Sequence, residues 1–385
     1  MEGGNAREQK GRGPALVLVP NYGIRHSGVT SVIQATLPHL RAAVGADLIG
    51  LAAGPLRADR SALGVLFRSF GRPEGAPYRV WHARRNSELA VGMFMRSVLR
   101  QPLRIVFHAA RQRPFSPLSH WMIKYADAVI ATSPEAQSYL RRPSALIPHG
   151  VDCEIYRPAE DREAQWASLG LGGRYGIGIF GRVRRQKGTD VFVEALLELL
   201  PRHPDFTGII VGLTKPGEAA FVARLKRRIE QAGLERRIIF LGERPAAELP
   251  GLLAAVSICV SPQRYEGFGL VPLEAAACGT PVVATRVGAA PSIVLDCKTG
   301  LLLEPDRLDT LVASIERLMS DAALRAAMGN AARRRAVEEF SVEREAEAYI
   351  AVYRSLWRSG TAQSPHAGAV LDAAPRAMLA PERDR

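Results

Sequence analysis

Short apolar runs alternate with helix-period segments along most of the chain. Residues 15–20 (ALVLVP), 47–52, 79–82, 104–108, 128–131 and 145–148 read as buried strands. Between them, residues 29–43, 87–100, 116–125 and 134–140 carry the apolar spacing of helices. After Pro158 the pattern restarts, with strands expected at 175–180, 207–211, 237–241, 257–260, 281–284 and 300–303. Alternation of this kind predicts an α/β protein: two doubly wound, Rossmann-like domains in tandem. Ligands in such folds bind beyond the carboxyl ends of the strands, so the expected site is a cleft that the two domains face.

The same pattern sets expected boundaries. Residues 14–158 form the first domain and 159–340 the second. An amphipathic helix over 341–358 follows the Phe340–Ser341 break. Residues 1–13 and 359–385 lack periodicity and read as disordered tails. Residues 54–77 form a long Gly/Pro/Arg-rich connection around an apolar stretch, 63–70; connections of that length are often functional.

Composition narrows the class. With 385 residues, 47% hydrophobic and 23% charged, the chain can bury two ordinary cores. No run reaches the roughly 18–20 apolar residues of a membrane span. Residues 1–14 (MEGGNAREQKGRGP) lack the apolar core of a signal peptide, so a cytoplasmic protein is expected. Cys153, Cys259, Cys278 and Cys297 show no C-x-x-C pairing and are expected to be reduced and buried. The net charge of +13 is lopsided: residues 1–158 hold 21 Lys+Arg against 10 Asp+Glu. A basic first half suits an anionic glycolipid or bilayer. No aromatic-interleaved basic motif supports nucleic acid as a partner.

Residues 261–284 (SPQRYEGFGLVPLEAAACGTPVVA) carry the densest chemistry. Glu266 precedes a Gly-rich turn, Gly267-Phe268-Gly269, and a small-residue helix from Leu270 carries Glu274. A Gly-rich turn feeding a helix N-terminus offers free N–H groups and a positive dipole end to an anion. Two carboxylates about two helical turns apart can face one ligand, here one with a central diphosphate and hydroxyls at both ends. The second stretch is residues 180–189, FGRVRRQKGT. Arg182 and Lys187 sit at a strand-to-helix turn and suit a diphosphate, although alone they fit a solvated basic loop better.

In the first half, residues 20–31 (PNYGIRHSGVTS) run from strand through loop into a helix opening at Gly28, where small residues admit a phosphate. His108 ends a strand. Arg111 and Arg113 follow it on the rim, and with Arg25 they could receive an anionic acceptor or form a solvated edge. No D-x-D pair sits at a strand end, so no metal and no cofactor is expected.

Taken together, residues 261–284, 180–189, 299–306 (TGLLLEPD) and 148–152 (PHGVD) resemble the retaining glycosyltransferases of family 4, which have the GT-B fold. The resemblance spans about residues 14–357. Ser27-Gly28 in place of the commoner double glycine, with 106–113 (VFHAARQR) and 128–133 (AVIATS), is similar to a narrower group, the lipopolysaccharide-core mannosyltransferases of rhizobia. The resemblance implies Arg182 and Lys187 on the donor diphosphate, Glu266 on the sugar and Glu274 on the ribose. It also implies the amides of Gly267, Phe268, Gly269 and Leu270 on the diphosphate and sugar, and His108 on the sugar. It implies a nucleotide-sugar donor, GDP-mannose, and a Kdo sugar of a lipopolysaccharide precursor as acceptor, met at the cytoplasmic face of the inner membrane. A UDP-sugar enzyme acting on another glycolipid or polysaccharide, and a nucleotide-sugar epimerase of the same fold, are the alternatives. A glycoside hydrolase is disfavoured, since both carboxylates lie on one turn-helix unit rather than flanking a bond.

Overall fold

The computed structural model describes residues 15–23, 28–50, 56–68 and 71–359. The expected tails therefore lie outside the described residues, save Ser359. The chain divides into two compact units, residues 1–150 with 342–385, and residues 151–341.

The first unit is built on a seven-stranded sheet. Its strands are β1 (Val17–Asn21), β2 (Ala46–Gly50), β3 (Arg60–Ser61), β4 (Arg79–Ala83), β5 (Leu103–Ala109), β6 (Ala128–Ala131) and β7 (Ala145–Leu146). Their order is β3-β2-β1-β4-β5-β6-β7, and every pair is parallel. The helices are α1 (Gly28–Val44), α2 (Ala62–Arg68), α3 (Asn86–Ser97), α4 (Pro117–Ile123) and α5 (Pro134–Ser138). Both sheet faces are covered, which is why the strands read as unbroken apolar runs. Val17, Val19, Val80, Val106 and Ile130 pack with α1 on one face; Leu18, Trp81, Ile105, Phe107 and Val129 pack on the other. The 54–77 connection holds β3 and α2, a short edge strand and helix that the Gly/Pro-rich composition hid.

The helix Val342–Arg358 belongs to this first unit. Ala346, Tyr349, Ile350, Tyr353 and Leu356 repeat at helical spacing and enter the core beside Val19 and Val106. Its buried Glu345 accepts from the Gly150 N–H at 2.8 Å, pairs with His149 Nδ1 at 2.8 Å, and receives the Tyr349 hydroxyl.

The second unit opens at Val151 rather than after Pro158. The Val151 N–H donates to the Phe340 carbonyl at 2.8 Å and the residue bridges Ser341, so the chain is already tied into the second unit there. Its elements are α6 (Arg162–Ser168), β8 (Tyr175–Phe180), α7 (Thr189–Leu199), β9 (Phe206–Val211), α8 (Ala219–Gln231) and β10 (Ile238–Gly242). There follow α9 (Leu249–Ala255), β11 (Ile258–Ser261), α10 (Leu270–Ala277), β12 (Val282–Thr285), α11 (Ala290–Ile293), β13 (Gly300–Leu303), α12 (Leu308–Ser320) and α13 (Ala322–Glu339). The sheet order is β10-β9-β8-β11-β12-β13, again parallel throughout.

All four cysteines are free thiols. Three are buried, but Cys297 is exposed, contrary to expectation, because it occupies a left-handed turn (φ 61°) closed by its N–H to the Gly300 carbonyl at 2.8 Å. Among the described residues no helix is long and apolar enough to cross a membrane.

Arg333 of α13 donates to the carbonyls of Cys153 (3.1 Å), Tyr156 (2.9 Å) and Ala277 (2.8 Å), fixing the entry segment against α10. Arg333→Met keeps the stem but strands those acceptors, and is expected to cost about 3 kcal/mol. Urea titration followed by circular dichroism checks this; an unchanged midpoint would refute the clamp.

Candidate functional site

In an open parallel sheet, ligands bind where the strand order reverses. In the second unit that point lies between β8 and β11, so the segments leaving these two strands form the candidate site. They are 181–188, leading into α7, and 262–269, leading into α10.

The two segments are bound to each other. Lys187 Nζ donates to the Glu266 carboxylate, with the two side chains 16% and 19% exposed. Arg264 reaches back to the Arg185 carbonyl and to Asp190 at 2.8 and 3.1 Å, and forward to Asp306 at 2.6 Å. The Arg264 N–H donates to the Gln186 carbonyl at 2.9 Å, and the Gln186 amide to the Tyr265 carbonyl at 2.9 Å. Gly188 is the contact point. It caps α7 in a left-handed conformation (φ 74°), and a Cβ there would lie 2.0 Å from the Pro262 carbonyl oxygen. Arg182 stands exposed at the start of the first segment with no ion-pair partner among the described residues. Beside it, Arg184 is half-buried with an unpartnered Nε; burial first, then the Arg182 charge, lowers its pKa.

Glu266 lies at the start of the second segment and also accepts from the Gly267 N–H at 3.0 Å. Phe268 is buried, and its carbonyl accepts from Ala289 at 2.8 Å. Gly269 takes a left-handed backbone (φ 84°) as the N-cap of α10, so Leu270 begins the helix with its N–H end toward the turn. Glu266, Phe268, Gly269, Gln263, Thr285 and Pro272 line a small cavity. Gln263 is 4% exposed and its Oε1 has no partner.

Glu274 does not line that cavity. It lies on α10 beside Tyr156, whose hydroxyl hydrogen-bonds it, and burial pushes its carboxyl up to about 7. Burial, with the Glu274 charge beside it, raises Tyr156 in turn.

In the first unit, α1 opens at exposed Gly28, where a Cβ would meet nothing within 4 Å. His108 is the next-to-last residue of β5 and only 2% exposed. Its Nδ1 lies 3.2 Å from the Tyr349 hydroxyl, its ring stacks on His82 at 5.5 Å between centroids, and its Nε2 has no partner. Burial first, then His149, His82 and Arg84, holds it well below the usual imidazole range. Arg111 follows, half-buried over the Phe115 ring at 6.0 Å, while Arg113 is exposed. Arg25 lies outside the described residues. Among the described residues, no cluster of three His, Cys, Asp or Glu side chains could hold a metal.

Sequence reasoning missed Arg264, Asp190, Tyr156 and Gln263. Tyr156 and Arg264 act across gaps in sequence that carry no periodic signal. Asp190 had one faint signal, an acid in the first turn of a helix after a Gly cap.

Glu274 has an ordinary carboxyl pKa of 4.5 when unfolded and about 7 when folded. Between the two values the folded state holds the extra proton, so stability falls as pH rises from about 4.5 to about 7 and stays lower above. Glu274→Gln removes this loss. The variant is expected to gain on the parent by about 1–3 kcal/mol at pH 8, with the gap closing toward pH 5. Parallel melting curves at both pH values check it; a pH-independent gap would exclude the assignment.

The glycosyl transferases group 1 family matches residues 161–335. The lipopolysaccharide core biosynthesis mannosyltransferase LpsB of Rhizobium meliloti (strain 1021) is 42% identical over 349 residues, covering 89% of this chain and 98% of that one. The lipopolysaccharide core biosynthesis mannosyltransferase LpcC of Rhizobium leguminosarum bv. viciae is 41% identical, covering 88% and 96%. Anabaena Alr3699/HepE, solved in complex with UDP, superposes with a TM-score of 0.76 at 24% identity, covering 88% of this chain and 99% of that one, which bears on the fold. With two parallel Rossmann-like units and relatives matched over nearly their whole length, the chain belongs to the group 1 glycosyl transferases: it is a glycosyltransferase of GT-B fold.

Proposed function

We propose that the protein transfers mannose from GDP-mannose, with retention of configuration, to a Kdo sugar in the inner core of a lipopolysaccharide precursor. The observation that carries the reading is the Lys187–Glu266 pair at the strand-order reversal of the second sheet. A cation and a carboxylate meet there beside the N-terminus of α10, so one locus offers charge to a diphosphate and an acceptor to sugar hydroxyls. The names of the two rhizobial relatives support mannose and the lipopolysaccharide core.

In this reading Arg182, Lys187 and the turn amides of Gly267, Phe268, Gly269 and Leu270 hold the diphosphate. Glu266 takes sugar hydroxyls and Glu274 the ribose. The C–O bond to the diphosphate breaks as the acceptor oxygen bonds to the same face of the anomeric carbon. A departing phosphate oxygen receives the acceptor's proton, so no protein nucleophile enters. Arg182 and Lys187 neutralise the charge that grows on the leaving group, where electrostatic stabilisation counts most. No metal and no cofactor takes part. Arg25, Arg111 and Arg113 receive the anionic acceptor, and His108 meets the sugar.

A peripheral position at the inner membrane is part of the proposal. Phe94 of α3, Val98 just after it, and Leu118, Trp121 and neighbouring Tyr125 on and after α4 are exposed large apolar side chains. Exposed Arg100 and Lys124 follow these helices. Aromatic and basic groups together suit the headgroup layer of an anionic bilayer.

The decisive test is a donor screen with a Kdo-bearing lipid A precursor, reading product mass with and without EDTA. One hexose from GDP-mannose, indifferent to EDTA, is expected; transfer from a UDP-sugar would overturn the donor, and turnover without acceptor would indicate an epimerase. Lys187→Ala and Glu266→Ala are each expected to lower transfer at least about a hundredfold. Near-normal turnover in either would remove that residue from the site. Trp121→Glu is expected to abolish co-sedimentation with phosphatidylglycerol vesicles; retained binding would argue against the patch.

A further inference from the structure

The first sheet has its own reversal of strand order, between β1 and β4. The segment leaving β4 is Arg84-Arg85. These neighbours have different partners. The Arg85 guanidinium donates to the Glu88 carboxylate at 2.7 Å and to Asn21 Oδ1, at the end of β1, at 2.9 Å. The Arg84 guanidinium reaches no carboxylate among the described residues. Its Nη1 touches the His82 carbonyl at 3.4 Å, and its centre lies 5.9 Å from the Tyr349 ring. Its Nε and Nη2 are both buried, and neither has a partner.

Those two N–H groups form one edge of the guanidinium. That edge is the fork which takes two oxygens of a carboxylate or phosphate side by side. Its neighbours on that face are two histidines. One residue beyond the Ala83–Phe107 pair, Arg84 falls level with His108, and His82 and His108 are stacked on the same face. Both imidazoles are fully buried with unpartnered Nε2 atoms. Burial, with Arg84 among the nearby charges, holds both well below the usual range, so Arg84 is the cation of this group. A buried donor pair without a partner costs free energy that a ligand oxyanion would recover.

We infer that the Nε/Nη2 edge of Arg84 is a substrate-binding site for a two-oxygen anion, at the strand-order reversal of the first unit. The inference rests on the glycosyl-transfer reading only for the identity of the anion. It is a carboxylate of the acceptor or a phosphate of the donor, and the chemistry at the fork is the same.

The experiment uses the full chain, Arg84→Gln and Arg84→Lys, with melting curves run beside each. Binding is measured by calorimetry with two probes, a Kdo glycoside compared with its methyl ester, and GDP. Loss of Kdo-glycoside affinity by roughly 30-fold, with GDP unchanged and discrimination against the ester abolished, assigns the fork to the acceptor carboxylate. A similar loss for GDP with the Kdo glycoside unchanged assigns it to the donor phosphate. Lysine keeps the charge but not the fork, so Arg84→Lys is expected to behave like Arg84→Gln, and it carries the test if the glutamine variant melts low. Affinities of both probes unchanged in a folded variant, or full rescue by lysine, would overturn the fork. Binding requires no turnover, so a failed donor screen would refute the transfer reading and leave this result standing.

Discussion

The candidate donor locus depends on one constraint: the segments leaving β8 and β11 must lie against each other. Gly188 permits this, since any side chain would strike the Pro262 carbonyl. Arg264 enforces it, with its guanidinium shared between the Arg185 carbonyl, Asp190 and Asp306. One planar donor bound to several acceptors defines position and angle together, which a single ion pair on a long stem does not. Remove the contact and Lys187 has no reason to meet Glu266.

That meeting has a cost and a use. Both side chains are mostly shielded, and a shielded pair recovers its desolvation only when geometry and further hydrogen bonds are good. Glu266 has the Gly267 N–H as a second donor. The pair is thus held in place without a ligand, and each partner keeps the other from collapsing elsewhere. A ligand carrying both phosphate and hydroxyl groups could replace each half of the pair with a contact of the same sign. A ligand with only one of these would leave a buried charge behind. On the proposed reading the pair would discriminate for ligands that carry both.

How much of this could be read from the residues varies with the range of the interaction. The sheets were legible because strands buried on both faces are continuous apolar runs, and Tyr175–Phe180 and Gly300–Leu303 fall at their expected limits. The stretches 180–189 and 261–284 were legible because turn glycines and helix starts are local. That Lys187 would pair with Glu266, and Tyr156 with Glu274, was not, since both depend on which loops the sheet order brings together. The expected common orientation of Glu266 and Glu274 also needed tertiary context: only Glu266 lines the cavity. β3 and α2 were hidden because a two-residue edge strand has no period to detect.

The fates of Arg84 and Arg85 show the same limit in the smallest compass. The two residues are identical in sequence chemistry and adjacent, yet the pleat sends successive side chains to opposite faces. On Arg85's face lies α3, whose wholly buried Glu88 also receives the Arg84 and Arg85 backbone N–H groups at 2.8 and 3.0 Å, while its own carbonyl takes Trp81 Nε1. With those donors and Arg85 Nη1 its carboxylate is fully engaged. On Arg84's face lies Tyr349, whose hydroxyl already donates to Glu345 and whose ring can offer only its π face. Glu345 is in turn occupied by His149 and Gly150. Among the described residues, Glu88 and Glu345 are therefore committed before Arg84 is reached. Its unpaired edge follows from how the helix Val342–Arg358 and α3 divide the available acceptors between the two faces of β4.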